Sequence, residues 1–232
     1  MKLFWIIIIF CIASTCVVAQ ESNNLNICYE EWRPFAFTEN KVIKGETIAK
    51  LQGASGSLGI TFNFYELPFK RCLTLVKKGL IDFALFVDNK DGLTLFNHAI
   101  AYWNITAVTA EKLSFYDIKE IQAFQNSRII IAQDYEYPKE FTEFIATLNS
   151  HIMPVSYYVT NPREDVALFS LLINDRADIM FVDSSWAHQI KSKYKLPLNI
   201  SPFIIHGSPQ YIGYGNTSNE KIEVMRSLLH IL

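Results

Sequence analysis

The chain has no block of lysine and arginine. Its 21 basic and 23 acidic residues are dispersed, leaving a formal net charge of −2 and a pI of about 6.2. Phosphate backbones are held by clustered basic side chains, so this dispersal argues against nucleic acid as a partner. Metal-ligand spacing is missing too. His98, His151, His188, His206 and His230 are scattered, with no HxxxH and no CxxC, and no metal or other cofactor is expected. Neither GxSxG nor HExxH occurs, so no catalytic residue is assigned from motifs. Cysteine is scarce: of four, Cys11 and Cys16 fall in an N-terminal apolar run, leaving Cys28 and Cys72. One disulfide or two separate buried thiols are both compatible with the apolar segments that carry them.

What is present is a globular composition: 232 residues, half hydrophobic, 14% aromatic and 19% charged. That suffices for one large domain or two small ones. The opening "MKLFWIIIIFCIASTCVVAQ" has one lysine and then an apolar run from Leu3 to Ala19, with small residues Val17 and Ala19 before Gln20. The run is short for a membrane span, and residues 1–19 read as a cleaved export signal; left uncleaved, they would tether the chain to a membrane.

Hydrophobic periodicity then gives an order of elements. Leu25–Tyr29 reads as a strand, and Glu46–Leu58 as a helix with Ile48, Leu51 and Leu58 on one face. "GITFNFYELP" alternates as a strand, while Phe69, Cys72, Leu73 and Val76 recur at helical spacing after Pro68, with Gly79 placed to cap. "LIDFALFV" is a further strand. The cycle restarts after Ile105–Ala110: "SRIIIAQ" is a strand, "PKEFTEFIATLNS" a helix with Phe141, Phe144, Ile145 and Leu148 inward, and "MPVSYYVT" a strand. "REDVALFSLLINDR" is a helix and "ADIMFVD" the strand after it. Two successive strand–helix–strand–helix–strand runs predict the α/β class, with two lobes of similar build. In such sheets ligands sit beyond the carboxyl ends of strands, where "EEWRPFAF" follows the first strand.

"EEWRPFAF", "FYELPFKRCLTLVKKGLIDFALF", "FNHAIAY" and "SLLINDRADIMFVDSSWA", in that order, resemble the extracytoplasmic solute-binding proteins of the polar amino acid type (solute-binding protein family 3), the binding subunits of ABC importers. The resemblance runs over almost all of residues 25–216. It implies a two-lobed periplasmic binding protein-like (type II) fold, two parallel-type sheets covered by helices and joined by two hinge strands. Lobe one would be residues 20–107 with 205–232 returning to it, and lobe two residues 108–204. The last helix, from near Asn219 to Leu232, is short for the family.

The resemblance also implies a site. Trp32 matches an aromatic that covers the ligand and Phe69 one on the opposite wall; such rings give contact area and attract a cation. Asp183 matches the carboxylate that receives an α-ammonium group, and the same position suits a helix cap. The chain departs from the family after "DFALF". Where Ser or Thr and then a carboxylate-clamping arginine are usual, it has Phe86 and Val87 and then "DNKDGLTLF". Arg71, in the first turn of a helix, is the substitute expected for that clamp ahead of Arg33; Lys90 is a point charge. In lobe two, Tyr135 and Glu136 replace small hydroxyl residues, and Glu30 adds an acid. The ligand-binding set is therefore Glu30, Trp32, Phe69, Arg71, Phe86, Tyr135 and Asp183.

The expected role is capture of a small amino acid or related amine between closing lobes, as a monomer, for delivery to a membrane permease. The expected location is the periplasm. Two alternatives share the fold: a cyclohexadienyl dehydratase-like enzyme, for which Glu136 would be the acid to watch, and a ligand-sensing domain.

Overall fold

The computed structural model describes residues 23–112, 124–132, 137–155 and 162–232. The expected signal at 1–19 and the expected contacts Tyr135 and Glu136 lie outside them.

The chain forms two compact units. The first takes Thr38–His98 and Ile212–Leu232 with the segment ending at Glu31; the second takes Trp32–Phe37 and Ala99–Tyr211. Two long strands pass from one unit's residues to the other's: β6 (Thr94–Ala110) and β11 (His206–Tyr214).

In the first unit, β1 (Asn24–Tyr29) is flanked by β4 (Thr61–Glu66) and β5 (Phe83–Val87), both parallel to it. A short pair, β2 (Phe37–Glu39) and β3 (Val42–Lys44), precedes helix α1 (Glu46–Leu58). Helix α2 (Phe69–Lys77) leads back into β5. All five residues of β5 are buried, as a parallel strand covered on both faces requires. Ile48 and Leu51 of α1 are buried as their spacing predicts, while Leu58 is half-buried. Helix α6 (Asn219–Leu229) buries Met225, Leu228 and Leu229.

The second unit repeats the run. β7 (Arg128–Ala132) lies parallel to β8 (His151–Val155) and β9 (Ile179–Asp183), with α3 (Lys139–Ala146) and α4 (Pro162–Ile173) as crossovers. Helix α5 (Ser184–Tyr194) and β10 (Leu198–Ile200) follow. β6 and β10 pair antiparallel, as do β6 and β9. Alternation divides the side chains between two cores. Ile105, Ile129, Ile179 and Phe181 pack with Phe141, Ile145 and Leu148 on one face. Val108, Ile130, Met180 and Val182 pack with Phe169, Leu172, Ala187 and Ile190 on the other. The strand expected over "MPVSYYVT" is described as beginning at His151, two residues earlier.

The likeness of the units extends to single hydrogen bonds. Asp82 Oδ2 accepts from Asn26 N at 2.8 Å, and Asp178 Oδ2 from Arg128 N at 2.7 Å. In return Asp82 N donates to Asn26 O and Asp178 N to Arg128 O. Three residues before each acid the chain turns left-handed, at Gly79 (φ 71°) and at Asp175 (φ 62°). There Leu80 N bonds Leu75 O, and Arg176 N bonds Leu171 O. Both crossovers thus end in one geometry, and Asp stands where Gly does because its short side chain tolerates the left-handed region. At Gly79 an added Cβ would also collide with the Asn216 carbonyl.

Candidate functional site

In the first unit the structure brings together two expected site residues that the sequence does not pair. Glu30 follows β1, and its Oε1 accepts the Phe69 N–H, the first of α2, at 3.1 Å. Pro68 opens that helix and supplies no side-chain cap, so a carboxylate from a neighbouring strand end satisfies a donor that would otherwise have no intrahelical partner. The half-buried Phe69 ring packs against the cluster of Cys28, Cys72, Val76, Ile81, Ala84 and Val87. Arg71, two residues on, is exposed. Cys28 and Cys72 are joined in a disulfide with Cα atoms 5.6 Å apart, which resolves the choice the sequence leaves open.

At the end of β5, Phe86 is 8% exposed and adopts φ 60°, a conformation that large side chains rarely take. Beyond it the chain folds on itself. Asp91 Oδ2 accepts from Asp88 N and Asp88 Oδ1 from Lys90 N, each at 2.7 Å. Lys90 is exposed.

Trp32 opens the turn 32–35, in which Phe35 N donates to Trp32 O at 2.8 Å and the Arg33–Pro34 peptide is cis. Trp32 is half-buried, with its ring 4.6 Å from that of Phe35. The Arg33 guanidinium lies 4.0 Å over the Phe37 ring, a cation–π contact. These residues group with the second unit, as does Asp183.

Asp183 ends β9 and begins α5. It is 1% exposed, and its Oδ1 accepts from Trp186 N at 2.9 Å, so it is the cap that its position allows. Oδ2 is buried and has no hydrogen-bond partner among the described residues. Burial raises the carboxyl pKa from 3.8 to about 6; the backbone N–H groups of Trp186, Asn104 and Ser185 oppose the rise without cancelling it.

Sequence reasoning missed Tyr137. Its hydroxyl donates to Phe181 O at 3.1 Å, two residues before Asp183, and its ring stacks on Phe141 at 4.8 Å. It also missed the capping role of Glu30. The signal available was a proline-led helix start with no capping side chain of its own, which demands an acceptor from elsewhere. No group of three or more His, Cys, Asp or Glu placed to hold a metal occurs among the described residues.

No family model matches the chain and no curated protein matches it by sequence. Solved structures do match. The arginine-bound, truncated ArgBP of T. maritima superposes with a TM-score of 0.61 at 16% identity, over 90% of this chain and 96% of that one. An ancestral amino acid-binding protein, a precursor of cyclohexadienyl dehydratase, gives 0.63 at 15% identity, over 90% and 88%. The substrate-binding protein of an amino acid ABC transporter gives 0.59 at 12% identity, over 89% and 92%. With the repeated strand–helix frame and its two through-running strands, these matches show that the chain has the fold of the two-lobed periplasmic amino acid-binding proteins.

Proposed function

We propose that the protein is a binding protein, not an enzyme, and that it captures a small amine-bearing ligand such as an amino acid. The observation that carries this reading is Asp183: a buried carboxylate at a strand's carboxyl end, one oxygen capping a helix and the other without a partner among the described residues. Trp32, half-buried at the start of its turn in the second unit, and Phe69, fixed at the start of α2 in the first, each offer an apolar face to a ligand. Delivery to the permease of an ABC importer is the role that the transporter-associated match supports. Export is supported by the apolar N-terminus and by the disulfide, which persists in oxidising compartments.

The test is a thermal-shift screen of the chain from Gln20, with amino acids, opines, dipeptides, polyamines and small dicarboxylates. A ligand at a hundred times its Kd adds about 2.7 kcal/mol, or roughly 5–10 °C for a chain of this size. The expected result is a shift from an α-amino acid that disappears in Asp183→Asn, which keeps a capping oxygen but loses the charge. A shift confined to polyamines would recast the site as one for cations lacking a carboxylate. Silence across the panel would defeat the reading.

A second reading, a cyclohexadienyl dehydratase-like enzyme, is supported by the match to an ancestral precursor of such an enzyme, with the buried Asp183 carboxyl, its pKa raised to about 6, as a group suited to acid–base work. Following any ligand that shifts the protein by proton NMR for a day separates the two, since an enzyme consumes it.

A further inference from the structure

The end of β1 is joined to α2 at two points. The Cys28–Cys72 bridge is one, and the hydrogen bond from Phe69 N to Glu30 Oε1 is the other. Both cysteines are fully buried. Glu30 lies two residues beyond Cys28, and Phe69 lies three residues before Cys72, just under one helical turn. A single crosslink leaves a helix free to pivot about it. A second tie one turn away removes that freedom and fixes the first residue of the helix, whose ring packs on the cluster that contains the bridge.

Proline at the head of α2 gives the helix no side-chain acceptor of its own. Glu30 Oε1 is therefore in use by the fold. What that bond requires is an oxygen at the right place; a charge strengthens it without being needed for its geometry.

We propose that Glu30 and the Cys28–Cys72 bridge are positioning residues that hold Phe69 in place, and that Glu30 serves the binding surface through Phe69 instead of by lending its charge to a ligand. Only the ligand arm of the test below rests on the reading of the preceding subsection.

The experiment uses the full oxidised chain, labelled with ¹⁵N, and measures hydrogen exchange at the Phe69 amide beside amides of α6 as an internal reference. Glu30→Ala is expected to speed Phe69 exchange about tenfold, the loss of a hydrogen bond to a charged group, with Met225 and Leu228 unmoved. Glu30→Gln, which retains an oxygen, is expected to stay within about threefold of the parent. Cys28→Ala/Cys72→Ala is expected to speed Phe69 exchange relative to the same references. Affinity for L-arginine, which carries an α-ammonium group and a cationic side chain, is expected to fall in the same order. If Glu30→Gln and Glu30→Ala behave alike, in exchange or in affinity, the positioning role is overturned. If neither moves Phe69, it is overturned as well. Should the double cysteine variant fail to fold, the two Glu30 variants decide the matter with the bridge intact. Should the parent not bind L-arginine, the amino acid reading loses that ligand while the exchange order still decides the positioning role.

Discussion

Replacing Asp183 with asparagine should make the unliganded protein more stable at neutral pH. In the unfolded chain this carboxyl titrates at its ordinary value, and in the folded protein at about 6. A group whose pKa is raised by folding contributes stability that is fully present below the unfolded value and lost as pH rises through the folded one. The window here is therefore pH 4 to 6, and above it the fold carries the cost of a buried charge. A rise from 3.8 to about 6 corresponds to about 3 kcal/mol. Asparagine stays neutral at every pH and caps a helix about as well as aspartate, so it mimics the protonated acid. The expected gain is 2–3 kcal/mol at pH 7.5, read as a rise in Tm of roughly 5–12 °C, shrinking toward zero by pH 4. Scanning calorimetry of both proteins across pH 4–8 measures it. A variant no more stable than the parent at pH 7.5, or a gain that does not shrink on acidification, would refute the reasoning. A gain of that size would fit the proposed role of Asp183 as a ligand-binding carboxylate.

Three further outcomes are expected. The Cys28–Cys72 bridge closes a loop with a sequence separation of 44, so its removal should destabilise the fold by about 4 kcal/mol by chain entropy, measured as a lowered urea midpoint. Asp82→Ala should be worse tolerated than most single changes. It strands Lys221 Nζ, which contacts both Asp82 oxygens at 2.9 Å, and it frees Asn26 N; about 3–5 kcal/mol is expected, by the same denaturation. Gly79→Ala should cost at least about 1–2 kcal/mol for a left-handed residue with a Cβ, and more because Asn216 must move.

The frame of the fold was legible in the sequence because its signals are periodic and local. Helix α1 is observed over Glu46–Leu58 as predicted, and β5 and β9 are the apolar runs that buried parallel strands produce. The length of β6 was not legible. Thr94–Ala110 mixes exposed and buried residues over 17 positions, because it belongs to two units in turn, and only its last stretch, Ile105–Ala110, has a clear strand pattern. The hairpin of β2 and β3 escaped because each strand has three residues, too few to show a period. Asp183 and Trp32 were expected as ligand contacts from the resemblance to the solute-binding family, in agreement with the position of each at or just beyond a strand end. The use of Glu30 as a cap on α2 depends on a contact between residues 39 apart, which no local pattern carries.

The repeated frame shows where the two units were free to differ. Asp82 and Asp178 occupy one structural position, and the five residues after each form β5 and β9. Counted from those acids, Val87 in the first unit stands where Asp183 does in the second. From that step on the likeness ends. β5 has Phe86 in a left-handed conformation and runs into the closed turn of Asp88, Lys90 and Asp91, whereas β9 runs into a helix capped by its own last residue. Hydrogen bonds that fix the start of each strand are the same; the residues that finish each strand are not. Core geometry constrains the former, since the paired backbone groups must be satisfied wherever they are buried. The strand ends have no such demand on them, and in folds of this class they are where ligand chemistry is placed. A strained phenylalanine at one such end and an incompletely paired carboxylate at the other are departures that folding alone does not call for. If Asp183 receives the ligand's ammonium group as we propose, Asp183→Asn should leave a protein that is more stable at neutral pH and unable to hold that ligand.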